Sequence, residues 1–198
     1  MPSEVHIARL ALQNIGDRFD LTALSDPTPE AEQVNLVFND VRDMVLREYP
    51  WKFARKYSTP ASLAGVVPGN WSHMYTYPPD ALRLLRIVNP LGDHQPPIRF
   101  EVARNAHDIK VVLTDQSEPM LEYTQKVTDP ERFDAQFVMA FAYRLAQYIA
   151  MPITGDRQIM ADMKTLADAE IRNAQATDAN EGFEAPRPAE AGWISARA

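Results

Sequence analysis

The residues of this chain that could do chemistry are few and widely spaced. Its four histidines are His6, His73, His94 and His107. No two stand three or four residues apart, so no helix can present a pair of imidazoles to a metal ion. Cysteine is absent, which excludes disulfides and thiolate metal sites and fits a reducing compartment. The seven glycines are scattered. None belongs to a phosphate-cradling loop or to a Gly-x-Ser-x-Gly nucleophile elbow. Two acidic pairs remain. Glu30 and Glu32 fall in the first turn of an expected helix, where the helix dipole accounts for them. Glu101 and Asp108 flank an expected turn and read as solvated. A general acid and base need a cleft that drives their pKa values apart. A small acidic hydrolase using Glu101 or Glu122 is kept as an alternative, but no catalytic, cofactor-binding or metal-binding residue is assigned.

Binding chemistry is equally sparse. The chain carries a net charge of −7, whereas proteins that grip nucleic acid usually show a basic patch that replaces phosphate counterions. Lys52, Arg55 and Lys56 form a small basic cluster. Trp71, Tyr75 and Tyr77 alternate along one expected strand and could stack bases. Without interleaved basic residues they read as core or as a sheet edge. A nucleic-acid-binding module built from these groups is the second alternative.

Function must then lie in architecture. With 45% hydrophobic residues in 198, the chain can bury most of the surface that it exposes when unfolded. No window is apolar enough to span a bilayer, and no basic segment followed by an apolar run opens the chain. The expectation is a soluble protein made in the cytoplasm.

The pattern predicts a first helix capped by Ser3 and running to about Ile15, with Gly16 just past its end. A second helix starts with Thr28 as N-cap and Pro29 in its first position. Its stripe is Ala31, Val34, Phe38, Val41 and Val45, widened by Leu36 and Val37. It should stop near Glu48, because Pro50 disfavours the α region at Tyr49. Tyr49, Pro50, Trp51 and Phe53 crowd this stop and read as a rigid joint between a helical and an extended part. From there alternation replaces the helical period. Strands are expected at 52–57, 71–77, 82–88, 98–103, 110–114 and 120–125, with a hairpin at Asn105-Ala106-His107-Asp108. The spacing argues for one antiparallel sheet, with an exposed loop over 58–70. Helices return with Thr128 or Asp129 as cap and Pro130 in first position. Pro152 should break the third helix, and a fourth should run to about residue 176.

The expected fold is therefore α+β. Residues 1–50 and 128–176 supply a four-helix, bundle-like part, and 51–127 form an inserted antiparallel β region. Residues 177–198 form an extended C-terminal tail. That tail has no long apolar period, yet it carries Phe183, Trp193 and Ile194. Two readings fit it: a docking peptide with aromatic anchors, or a disordered terminus.

Several stretches together carry a family resemblance. They are Leu12-Gln13-Asn14-Ile15-Gly16 followed by Leu21-Thr22-Ala23-Leu24, then Val45-Leu46-Arg47-Glu48-Tyr49-Pro50-Trp51-Lys52-Phe53-Ala54, and Tyr77-Pro78-Pro79-Asp80-Ala81-Leu82-Arg83. Next come Leu121-Glu122-Tyr123 through Val127-Thr128-Asp129-Pro130-Glu131-Arg132-Phe133-Asp134, and Phe137-Val138-Met139-Ala140 leading to Leu145-Ala146. In order and spacing, over about residues 5–171, the chain resembles the tail tubular protein A family. These are the head-to-tail adaptors of short-tailed double-stranded DNA phages. The resemblance implies a non-enzymatic virion protein that forms a ring, usually a dodecamer, beneath the portal at the tail vertex. Tail nozzle or other tail proteins would attach below, and genomic DNA would pass through the centre without specific binding. It implies no cofactor and no catalytic residue. The resemblance does not reach the tail after Asn180, and on the aromatic and apolar character of that tail alone Phe183, Trp193 and Ile194 are expected to dock on the portal. Pro68, Asn70, Asp93 and His94 are expected to face distal tail components.

Overall fold

The computed structural model describes residues 2–18, 20–92 and 95–181. The fold is α+β, with four helices and two three-stranded antiparallel sheets. Helix α1 (Glu4–Asn14) is capped by Ser3, whose hydroxyl accepts from the His6 N–H. At its far end Gly16 (φ 83°) turns the chain. Its N–H reaches the Gln13 carbonyl and the Asp17 N–H reaches that of Leu12. This paired arrangement closes a helix with a left-handed residue. Helix α2 (Pro29–Glu48) opens on the Thr28 cap and ends where Tyr49 goes extended before Pro50. Ala31, Val34, Phe38, Val41 and Val45 are all buried, as the stripe predicts. Leu36 is not, being 72% exposed, because it lies on the far side of the helix from that stripe.

Helix α3 (Ala135–Thr154) is the centre of the helical part, and α1, α2 and α4 (Arg157–Asn180) all pack on it. Its Phe137, Ala140, Phe141, Leu145, Ile149 and Ala150 are essentially inaccessible. Alanines at 140, 142, 146 and 150 keep the surface low enough for neighbouring helices to approach. Arg144 on α3 pairs with Asp168 on α4 at 2.8 Å and with Glu48 on α2 at 3.7 Å. Three expectations change here. Pro130 opens only a short 3-10 turn (Pro130–Arg132) before α3 begins. Pro152 does not break α3, which continues to Thr154 and ends at left-handed Gly155 (φ 69°). The missing donor of Pro152 falls in the last turn, where few later residues depend on the ladder. Helix α4 runs on to Asn180 rather than to about 176, because Ala174 and Asp178 are still buried.

The β region departs from the expected single sheet. Strands β1 (Arg55–Ser58), β6 (Met120–Gln125) and β3 (Ala81–Val88) form the first sheet in the order β1-β6-β3. Strands β2 (His73–Thr76), β5 (Lys110–Thr114) and β4 (Phe100–Arg104) form the second in the order β2-β5-β4. Leu84, Ile87, Leu121 and Tyr123 of the first sheet share one apolar cluster with Tyr75 and Val112 of the second. The other face of the second sheet, with Met74, Val111 and Leu113, is covered by Leu63, Val67 and Trp71. The loop expected to be exposed thus packs part of its length on the sheet, and Ser62 bridges to Tyr75. Two layers win over one because stacking buries the apolar faces of both sheets. The hairpin at 105–108 joins β4 to β5 as expected, with Asp108 at φ 60°.

The segment after Pro50 also differs. Residues Lys52–Ala54 form a 3-10 turn, and only then does β1 begin.

Among the described residues, no helix is long and apolar enough to cross a membrane.

Candidate functional site

The joint between helices and sheets is built on Trp51, which is 1% exposed. Its indole N–H donates to the carbonyl of Val45, 2.9 Å away, near the end of α2. The last carbonyls of a helix lack partners within it, so the tryptophan supplies one donor there. Its ring meets Phe137 edge-on at 5.2 Å and Tyr49 at 5.1 Å. Phe53 meets Phe137 at 4.9 Å and Phe133 at 5.9 Å. The contacts continue through Phe141 to Phe38 on α2, 5.1 Å from it. Such tilted pairs add about 0.5–1.5 kcal/mol each beyond their buried area. Three of the four residues expected at the joint, Tyr49, Trp51 and Phe53, therefore join α2, α3 and the segment leading into β1 in one aromatic seam.

The joint is also tied to the end of α4. The Lys52 backbone N–H donates to Asp178 Oδ1 at 2.9 Å. The Lys52 ammonium donates to the carbonyls of Asp178 and Ala179. Beside it lie Asp134, at the start of α3, and Glu181. These two and Asp178 can each offer an oxygen, all within 4.8 Å of one another. Burial pushes the Asp134 carboxyl above its ordinary value, and the carboxylates of Glu181 and Asp178 push it further. Local sequence patterns carry no sign of this cluster, since its members come from the start of α3 and the end of α4.

Each member of the basic cluster meets an acceptor of this chain. Lys52 is held as described. Arg55 faces Glu122 at 3.3 Å, and Arg86 pairs with the same carboxylate. Lys56 reaches Asp80 at 2.7 Å, and the Tyr123 hydroxyl donates to the other oxygen of Asp80 at 3.0 Å. Burial acts to raise the Asp80 carboxyl, but the hydrogen bonds from Lys56 and Tyr123 outweigh it and hold the group below its usual value. Glu122 is 3% exposed and sits under two guanidinium groups. A carboxylate so engaged is poorly placed to collect a proton from a substrate. Glu101 accepts from the Trp71 indole at 3.0 Å, and Asp108 pairs with Arg104.

The aromatic strand residues do not form an open stacking platform. Tyr75 is buried and Trp71 lies under Arg99 at 5.1 Å. Tyr77 carries the Lys110 ammonium over its ring at 3.5 Å.

The loops expected to face distal components meet at one end of the β region. His73 and Phe100, the first residues of β2 and β4, both pair with Thr114, the last of β5. In the first sheet the corresponding end holds Ser58 with Leu121 and Val88 with Met120. Loops 59–72, 89–99 and 115–119 therefore all emerge opposite the strand ends Arg55, Ala81 and Gln125 that adjoin the helices. Side chains lace these loops together. Ser72 donates to Asp115 through its N–H and its hydroxyl. The Tyr75 hydroxyl donates to the Gln116 carbonyl and accepts from the Glu118 N–H. Pro68 is half-buried and Asn70 exposed in the first of these loops, on either side of Gly69. Asp93 and His94 lie outside the described residues, as do Phe183, Trp193 and Ile194.

The flank of the helical part carries a groove of about 750 Å³ between α2 and α3. Asp40, Asp43, Met44, Arg47, Glu48 and Tyr148 line it. Met44 and Tyr148 are large and well exposed. Tyr148 lies at the edge of the apolar face of α3.

A search against family models finds no match for this chain, and neither does a search of curated proteins.

Proposed function

We propose that this chain is a structural head-to-tail adaptor of a short-tailed phage, acting as one subunit of a ring between the portal and the distal tail. The reading rests first on the ordered resemblance of its motifs to the tail tubular protein A family. The structural observation that carries it is the two-ended construction. Helices stand at one end and loops at the other, and Trp51 and Phe53, set in the aromatic core of the helices, lead directly into β1. An adaptor has to meet two larger bodies, and unlike ends serve that task.

Ring closure needs a heterologous contact, in which different surfaces of neighbouring copies meet. The groove between α2 and α3, with Met44 and Tyr148 exposed and charges of both signs around them, suits one side of such a contact. DNA would pass through the ring without being held. The engagement of Lys52, Arg55 and Lys56 by acceptors of the same chain favours this over the nucleic-acid-binding alternative. The place of action is then the tail vertex of the virion.

On this reading residues 182–198 dock on the portal, with Phe183, Trp193 and Ile194 as anchors, and loops 59–72 and 89–99 face the distal tail. Burying Trp193 and Ile194 contributes roughly 3–6 kcal/mol before ordering costs. Deletion of all residues after Glu181 is the test, read by co-sedimentation with portal rings. The expected result is loss of co-sedimentation with the folded part intact by circular dichroism. Undiminished co-sedimentation would refute the docking role of the tail.

A further inference from the structure

We propose that Asp134, Asp178 and Glu181 form a site for a hard divalent cation, Ca²⁺ in preference to Mg²⁺, that fastens the last turn of α4 to the first turn of α3. The three carboxylates converge within 4.8 Å. A second, separate observation points to a ligand there. Asp178 is 4% exposed, and among the described residues its Oδ2 has no hydrogen-bond partner. Its Oδ1 is satisfied by the Lys52 N–H. A buried charged oxygen left without a donor is costly, and such groups in folded proteins nearly always have a protein, water or ion partner.

The neighbours of the cluster do not fill this role. Lys52 is the nearby cation, but its ammonium is directed at the carbonyls of Asp178 and Ala179. Among the described residues, no ion pair reaches any of the three carboxylates. Asp134 occupies the N-cap position of α3, where its side chain could accept from the helix, yet it makes no such bond. Its carboxylate is thereby left for the cluster. The donors are oxygens only, which selects a hard cation over a transition metal. They come from two helix ends, and Glu181 is exposed and able to adjust. Ca²⁺ accepts irregular oxygen sets, whereas Mg²⁺ demands a near-octahedral one. Waters would complete the shell.

The position gives the ion a consequence. Asp178 also holds the backbone at Lys52, next to Trp51, so the cluster lies where both helical ends meet the joint. Glu181 is the point from which the chain continues into 182–198.

The test is calorimetric titration of the full chain, freed of metal by chelator, with CaCl₂, together with thermal unfolding in CaCl₂ and in chelator. The expected outcome is one Ca²⁺ per chain with a Kd of ~10⁻⁴–10⁻³ M, as for open sites with few carboxylates. The midpoint of unfolding should rise with Ca²⁺ by mass action. Asp134→Asn and Glu181→Gln should each weaken binding at least tenfold. Both should match or exceed the parent's midpoint in chelator, because each removes a like charge. Absence of both heat and midpoint shift at about 10 mM Ca²⁺, roughly ten times the weakest Kd expected, would overturn the proposal. So would parental affinity in either variant.

Discussion

Trp51 divides its contribution between packing against Phe137 and Tyr49 and a buried hydrogen bond to the Val45 carbonyl. The two parts can be separated by substitution. Trp51→Phe keeps most of the ring contact but leaves Val45 one donor short. It should cost ~1–3 kcal/mol. Trp51→Ala should cost ~3–5 kcal/mol, since it also opens a cavity. Urea unfolding followed by far-ultraviolet circular dichroism measures both, and costs below about 0.5 kcal/mol would show that the seam is not a stabilising element. At this scale the sequence was half legible. Helical and extended patterns meeting at Pro50 made the joint visible, and aromatic residues at such a stop are natural core. The partners of its charged residues were not visible. Lys52, Arg55 and Lys56 look like a free basic face when only neighbours in sequence are seen. Their acceptors lie at Asp178, Glu122 and Asp80, and only the tertiary fold brings these within reach.

The ends of α1 and α2 were legible, because caps are local chemistry. Ser3, Gly16 and Thr28 all act within a few residues of themselves. Pro152 misled for the same local reason. A proline in a helix removes one donor wherever it stands, but in the last turn this costs little. The true stop is Gly155, whose N–H reaches the Met151 carbonyl at 3.0 Å. Its φ of 69° belongs to the left-handed region, and a Cβ there would meet no atom within 4 Å. Gly155→Ala should therefore cost ~1–2 kcal/mol from backbone strain alone, read as a lowered unfolding midpoint without any change in spectrum. A neutral effect would mean that the α3–α4 turn relaxes to another conformation. The strands show the opposite case. Period-two alternation marked all six, yet it carries no information about which strand pairs with which. Strand β1 pairs with β6 rather than with its neighbour in sequence, and that choice splits the region into two sheets.

The whole molecule has unlike ends. The α3 helix gathers α1, α2 and α4 into one core, and Leu82 of β3 packs against that core. The second sheet, stacked on the first, presents loops 59–72, 89–99 and 115–119 at the far ends of its strands. The α+β class with an inserted β region could be read from the order of helical and alternating segments. The clustering of the three loops could not, because it depends on register. The central claim is that such a body works as a coupling ring between portal and tail. Electron microscopy of the full chain mixed with a short-tailed phage portal protein is the direct test. A ring of this protein should sit on one face of each portal, with the loops directed away from it. Portals that stay bare while the chain remains monomeric and dispersed would contradict the claim.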